Sequence, residues 1–447
     1  MRARVDRNEG VEEVECESQL GDEFEEDEFE EDGSRQVTIA IQNKGRRKSG
    51  DNLADRRRAA YERAQRFRSG EGGLRSRYQD ATSRDPKPVG YYVIAAVSII
   101  LVLFGLVMVM SSSSIVSFNR GDSAWKLFRR QSFYAGVGAV GMIFAYKLRL
   151  SILHKFARVG PIAGLGLMLL AFVPGLGVEV NGARAWIQIL DQRFQPSEFM
   201  KLFIVIYGAD ILSRRIKQID DWRATMAPFG LMVGLGAALS LVQSDFGSCA
   251  VMIGIGFIVL FLAGAPLLPM ATVAAGGAAL GGLLIAVRPD KFVRITSFFD
   301  LYGNRGHSTY QVYQSLISLS NGGVTGTGIG AGTGKWGYVP LAHSDFIFAT
   351  LAEEMGFLGV IGLIALFTFL IYFGFQAAIS CRTPFGRLLA GGIAGWFLIQ
   401  ICINIGGVIG AIPVTGLTLP FISFGGSSLI VSMVSAGLLM NVARRPR

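Results

Sequence analysis

From about residue 90 onward the chain alternates apolar runs with short polar breaks, a rhythm that predicts membrane-crossing helices. Tyr91 to Met110 is an unbroken apolar stretch matching the bilayer core of about 20 residues. Further runs follow at Phe133–Tyr146, Gly160–Leu176, Phe199–Leu212, Met226–Val242, Gly247–Leu262 and Leu267–Val287. The last three are Phe346–Phe375, longer than one crossing, Leu388–Ile409 and Phe421–Val442. The pattern predicts an all-α polytopic membrane protein of about ten transmembrane helices, with a long extracytoplasmic loop between helices 7 and 8 (Arg288–Ser344). In the seventh run, Gly277 and Gly281 have the spacing for close helix packing.

Charge orients this array. Basic clusters follow runs two, four and eight and close the chain, so they share one side if both termini are cytoplasmic. Arg120, Lys126, Arg129 and Arg130 then fall on the outer side, against the rule. The same orientation puts the loops Gly177–Ser197, Arg288–Ser344 and Ala411–Pro420 outside, so polar chemistry gathers there. Three segments result: 1–88, a cytoplasmic and largely disordered tail, acidic and then basic; 89–443, the transmembrane domain; and 444–447, a basic cytoplasmic end. Within the tail, Leu53–Arg68 has the makings of a short basic helix on anionic lipid.

The 447 residues are 51% hydrophobic and 17% charged, which fits a membrane domain with a polar tail. The net charge of +9 sits beside apolar spans and points to membrane orientation, not to nucleic acid. Cys16, Cys249, Cys381 and Cys402 lack the spacing of a metal site or a disulfide framework. The first apolar run begins too late for a cleavable signal.

Ionisable residues at membrane depth cost roughly 2.5–3.5 kcal/mol each, so each needs a partner, water or a task. Glu198 and Lys201 share a helix face after Pro196-Ser197 and read either as a buried pair or as a carboxylate and an ammonium facing a polar cavity. Arg184 offers a guanidinium to phosphate, and Trp186 an interfacial anchor. Asp245 is placed to cap the sixth run. Tyr310–Leu319 predicts an amphipathic surface helix, and the glycine-rich Asn321–Pro340 follows it. That stretch is not a nucleotide phosphate loop, because Trp336 rather than Ser or Thr follows Lys335. It reads as a flexible loop or as a pyrophosphate-lipid site with Lys335 as its cation.

Asp345 stands where the eighth run begins and reads either as a helix cap or as a base. His343 is an interface histidine or a proton shuttle, and Glu353 and Glu354 are expected to pair with a buried cation such as Lys201. In Pro413–Ile430, Pro420, Gly425 and Gly426 break the entry to the tenth run, while Ser423, Ser427 and Ser428 supply hydroxyls to a cavity wall.

The motifs QPSEFMK, QSDFG, AHSDFIFA with a following AEE.G, and PVTGLTLPFISFGGSS occur in this order over about residues 90–443. In this the chain resembles the shape, elongation, division and sporulation (SEDS) family of polytopic glycosyltransferases, and its wording is closer to the division branch than to the elongation branch. The resemblance implies polymerisation of lipid II into β-1,4 glycan strands at the outer face of the bacterial cytoplasmic membrane, at the division septum. It implies Asp345 as catalytic base, Glu198 and Lys201 as the family's Glu–Lys pair and Asp245 in its outer turn. Lys201, Arg184 and Lys335 are then the candidates to gather pyrophosphate charge, and Ser423 adds a cavity hydroxyl. The implied partners are lipid II, a class B penicillin-binding protein transpeptidase, other division proteins and membrane lipid. No organic cofactor is expected, and a divalent cation, magnesium or manganese, is compatible with the chemistry. The alternatives are a lipid II flippase and an elongation polymerase. Three positions depart from the family pattern: Ser244 replaces a proline, Leu341 a glutamate, and FFDL at Phe298–Leu301 replaces FLDP.

Overall fold

The structure, a computed structural model, describes residues 88–119, 123–180, 182–189, 192–219, 221–286, 303 and 309–444. The tail before Pro88 with its Leu53–Arg68 segment, Cys16, Arg120, Phe298–Leu301 and residues 445–447 lie outside the described residues.

Each of the ten apolar runs contains a helix. In chain order the first four are α1 (Val89–Asn119), α2 (Lys126–Lys147), α3 (Leu150–Phe156) and α4 (Val159–Leu170). After a small sheet come α5 (Pro196–Arg214), α6 (Ala227–Val242), α7 (Phe246–Ala263) and α8 (Leu267–Ala286). The chain ends with α9 (Tyr310–Gly322), α10 (Ile347–Ser380), α11 (Pro384–Val408) and α12 (Gly426–Ala443). Among the described residues, five of these are long and apolar enough to cross a membrane: α1, α7, α10, α11 and α12. A sixth is reached if α2 and α3, bent by 103°, form one span. Charge separates α5 from this set, since Glu198, Lys201, Asp210 and Arg214 all lie within it. Helices α4 and α6 are apolar but shorter.

The fold is helical with one departure. The segment between α4 and α5 is a three-stranded antiparallel sheet of β1 (Gly177–Val180), β2 (Ala183–Ile189) and β3 (Gln192–Phe194), with Trp186 opposite Val178 and Ile187 opposite Phe194. The cause is local alternation: in β2, Ala185 and Ile187 are buried while Arg184 points out. A short strand pattern of this kind is easily hidden between apolar helices.

At the centre, α11 and α12 are buried on nearly all sides. Asn441 fastens α12 to the end of α2, its Nδ2 donating to the Ala145 and Leu148 carbonyls at 2.8 and 2.6 Å. Away from the sheet, His154 Nδ1 and Arg214 Nη2 both meet the buried Asp210 carboxylate, at 2.6 and 2.8 Å.

One packing expectation is corrected and one is refined. Helix α9 is amphipathic as expected: Ile317, Ser320 and Asn321 are exposed, while Val312, Ser315 and Ser318 are buried and Ser315 Oγ donates to the Val408 carbonyl at 2.6 Å. The glycine face of α8 packs against nothing described, since a Cβ added at Gly277 or Gly281 would meet no atom within 4 Å.

The long eighth run is two helices joined at Gly356 (φ 64°, ψ −166°). A side chain there would meet the Gly326 amide nitrogen at 2.3 Å. The break frees backbone groups, and the glycine-rich stretch satisfies them. Phe357 and Leu358 N–H donate to the Gly323 and Val324 carbonyls, and Thr327 and Gly328 N–H donate to the Glu353 and Glu354 carbonyls, all at 2.9–3.1 Å.

Candidate functional site

A cavity of about 950 Å³ opens where the start of α2, the sheet, the first turn of α5, the α6–α7 turn and the broken stretch before α12 converge. Three carboxylates line it, Glu198, Asp245 and Asp345, together with two guanidinium side chains, Arg130 and Arg193. Trp186, Tyr134 and His343 add aromatic rings. The broken stretch contributes Val414 to Thr418 and Phe424 to Gly426, so it forms a wall as the Pro-Gly pattern predicts.

Asp345 sits just before α10 and does not cap it. The cap position is Phe346, and no side chain serves there. Asp345 Oδ2 lies 3.7 Å from where a Cβ would stand on Gly416, across the cavity wall. Among the described residues no donor reaches its carboxylate. Burial, and secondly the negative charge of Asp245, push its pKa up to about 6.

Asp245 is differently committed. Its Oδ1 accepts from the Ser248 amide at 2.9 Å, and Oδ2 from Gln195 Nε2 at 2.7 Å and Ser197 Oγ at 3.2 Å. This is the predicted cap, extended to brace α5 against α7. The preceding Ser244 adopts φ 63°, which proline cannot reach.

Glu198 and Lys201 pair at 2.7 Å as their spacing predicts. Glu198 lines the cavity; Lys201 lies behind it, 0% exposed, and also donates to Gln400 Oε1 at 3.1 Å. Lys201 thus reaches the cavity only through Glu198. Glu198 Oε2 is buried and accepts no hydrogen bond among the described residues.

The structure moves the other proposed cations. Lys335 lies outside the cavity lining: it is 3% exposed, with Nζ donating to Glu354 Oε1 at 2.8 Å, Ser111 Oγ at 3.1 Å and the Gly330 carbonyl at 2.6 Å. Glu353 accepts from the Thr333 amide and hydroxyl at 2.8 and 2.7 Å and from the Gly334 amide. Glu353 and Glu354 therefore do not pair with Lys201. The amides of Gly330, Thr333 and Gly334 hold the chain's own carboxylates, Glu353 and Glu354. Arg184 points outward and pairs with Glu179 at 3.0 Å, outside the cavity lining. Ser423 is buried and bridges the Leu419 amide to the Ser344 carbonyl, which makes it a tie between the wall and the Asp345 loop. Trp186 and His343 are both at the lining, with the His343 ring edge-on to Phe424.

Sequence reasoning misses four residues. Arg130 reads only as a violation of charge orientation, yet its side chain lines the cavity, with Nε 3.1 Å from Tyr134 Oη and Gln192 Oε1. Arg193 has no local signature. Gln400 and Asn404 are legible in principle, as two amides at i and i+4 within an apolar span.

No three His, Cys, Asp or Glu side chains gather as a metal-binding group among the described residues. The residues present do not build a resident metal cage.

The fold and cavity together define a multi-pass membrane protein that exposes an ionisable carboxyl and two guanidinium groups at the ends of its helices. The chain belongs to the cell cycle protein family of FtsW, RodA and SpoVE, whose model matches residues 91–447. It is 36% identical over 358 residues to the probable peptidoglycan glycosyltransferase FtsW of Geobacter sp. (strain M18), covering 79% of this chain and 97% of that one. It is 34% identical to the stage V sporulation protein E of Bacillus subtilis (strain 168), over 79% and 97%. Among solved structures it is similar to one describing the coordination of polymerization and crosslinking by a peptidoglycan synthase complex. The TM-score is 0.63 at 30% identity, covering 80% of this chain and 98% of that one.

Proposed function

We propose that this chain is a peptidoglycan glycosyltransferase that polymerises lipid II at the outer face of the bacterial cytoplasmic membrane, with Asp345 as general base. The observation that carries this is the place of the Asp345 carboxyl: it lines the cavity across from Gly416, meets no donor among the described residues, and shares the cavity with Arg130 and Arg193.

The deprotonated carboxylate accepts the proton of the acceptor sugar's 4-hydroxyl as that oxygen attacks the donor's anomeric carbon. The bond from that carbon to the pyrophosphate oxygen breaks, and the lipid pyrophosphate leaves with the electron pair. Attack from the opposite face inverts the centre and gives a β-1,4 linkage. The proton stays on Asp345 until cavity water removes it. A positioned base of this kind contributes about 10²–10⁴-fold. Arg130 and Arg193 gather the charge that develops on the leaving group. A divalent ion at this site would take much of its coordination from substrate oxygens.

The topology we infer has ten spans with both termini in the cytoplasm and the cavity on the outer side; the basic clusters support it. The division role rests on the FtsW relatives and the motif wording. A class B penicillin-binding protein as partner rests on the family and on the synthase complex. The exposed apolar face of α10 (Phe357, Ile361, Ile364, Phe369) is open to lipid or to such a partner's single span.

The test is to give the purified protein, with its transpeptidase partner, lipid II in vesicles. Glycan polymer is the expected product; lipid movement across the bilayer with no polymer would instead make the protein a transporter.

A further inference from the structure

The cavity wall opposite Asp345 is not held by its own secondary structure. Residues 412–419 are non-helical, and Leu417 and Leu419 among them are buried. Unpaired carbonyls there are costly, and two side chains of α11 satisfy them. Gln400 and Asn404 are one turn apart on one face and are 1% and 4% exposed. Gln400 Nε2 donates to the Thr418 carbonyl at 2.9 Å, while its Oε1 accepts from Lys201 Nζ and from Trp396 Nε1. Asn404 Nδ2 donates to two carbonyls, Leu417 at 2.6 Å and Asp345 at 3.0 Å.

The Asn404 amide therefore spends one N–H on the wall and the other on the backbone of the residue that faces it. Flipping the amide would set its oxygen against both carbonyls, so the orientation is fixed. Gly416, whose open side faces the Asp345 carboxylate, sits next to the clamped Leu417. We propose that Asn404 is a positioning residue: it fixes the separation between the Asp345 carboxylate and the 414–418 wall, and so the place of the acceptor sugar alcohol. Gln400 extends the clamp by linking the same wall to the Glu198–Lys201 pair. This rests on Asp345 being the base.

The fold contains its own control. Asn441 makes the same two-carbonyl clamp, but to Ala145 and Leu148, neither of which lines the cavity, whereas Leu417 and Asp345 both do. Asn404→Leu and Asn441→Leu each remove one such clamp and are expected to lower the unfolding temperature of the full-length protein alike. Only Asn404→Leu is expected to lower kcat, by about tenfold to a hundredfold, the scale of a small misplacement at a reacting centre, with KM for lipid II within about twofold. Asn404→Ser, which keeps one donor, is expected to fall between and provides the same reading if the leucine variant does not accumulate. Equal kcat in the Asn404 and Asn441 variants, or a loss confined to KM, overturns the proposal. Polymerisation that survives Asp345→Asn overturns instead the reading beneath it, so the two failures are distinguishable.

Discussion

Lys335 Nζ lies 2.8 Å from Glu354 Oε1, and both side chains are closed off from solvent. The pair joins the glycine-rich loop to the first half of α10, and Ser111 ties it to α1. Lys335→Met leaves a buried carboxylate without its cation, a change that costs about 3–5 kcal/mol in buried pairs. Thermal unfolding in detergent should show the loss. The protein that remains folded should keep its KM for lipid II, because Lys335 does not line the cavity.

The cavity arginines behave oppositely. Arg193→Ala removes an exposed side chain and is expected to leave the unfolding temperature within a degree or two. If the guanidinium stabilises the leaving pyrophosphate, kcat falls by about 10²–10³, as for loss of one transition-state donor. Steady-state rates of polymer formation check this.

Asp345 gives the pH dependence a definite sign. On the proposed role of Asp345 as base, activity needs its charged form, so the acid limb of kcat/KM is expected near pH 6. Asp245, Glu198, His343, Arg130 and Arg193 face the same cavity, and Asp245 is the one whose charge raises the Asp345 value. Asp245→Asn should therefore move the limb to lower pH. For stability, the folded protein holds the Asp345 proton more tightly than the unfolded chain. The contribution is full below 3.8 and is lost as pH rises through about 6. Asp345→Asn is accordingly expected to raise the unfolding temperature at pH 8 and to leave it unchanged at pH 3.

Ser244 offers a test that runs against family resemblance. The family carries proline there, yet Ser244 has φ 63° and its N–H donates to the Leu241 carbonyl at 3.0 Å. Ser244→Pro forbids both and should destabilise by more than about 1 kcal/mol, whereas Ser244→Gly should be neutral or better. A stabilised proline variant would contradict the left-handed conformation of this turn.

The sequence foretells the helices and much of the site because both rest on local signals. Apolar length predicts the helices, Glu198 and Lys201 meet because they are three apart, and Asp245 caps because it precedes α7. What it hides is long-range. Nothing near Lys335 says that its charge will be spent on Glu354, 19 residues on and inside the next long helix. Nor does a glycine-rich run reveal whether its amides cradle a substrate or the chain's own carboxylates. Arg130 is misread because charge orientation considers which side of the membrane a cation occupies and ignores what it faces. The sheet at 177–194 is lost among longer and stronger helical patterns.

The most direct measurement is polymer formation by Asp345→Asn beside the wild-type chain, both with the transpeptidase partner and equal lipid II, with binding of lipid II followed in parallel. Loss of polymer by about a hundredfold or more with lipid II still bound is the expected result. Polymer made at the wild-type rate by the asparagine variant would contradict it, since no uncharged amide accepts the sugar proton.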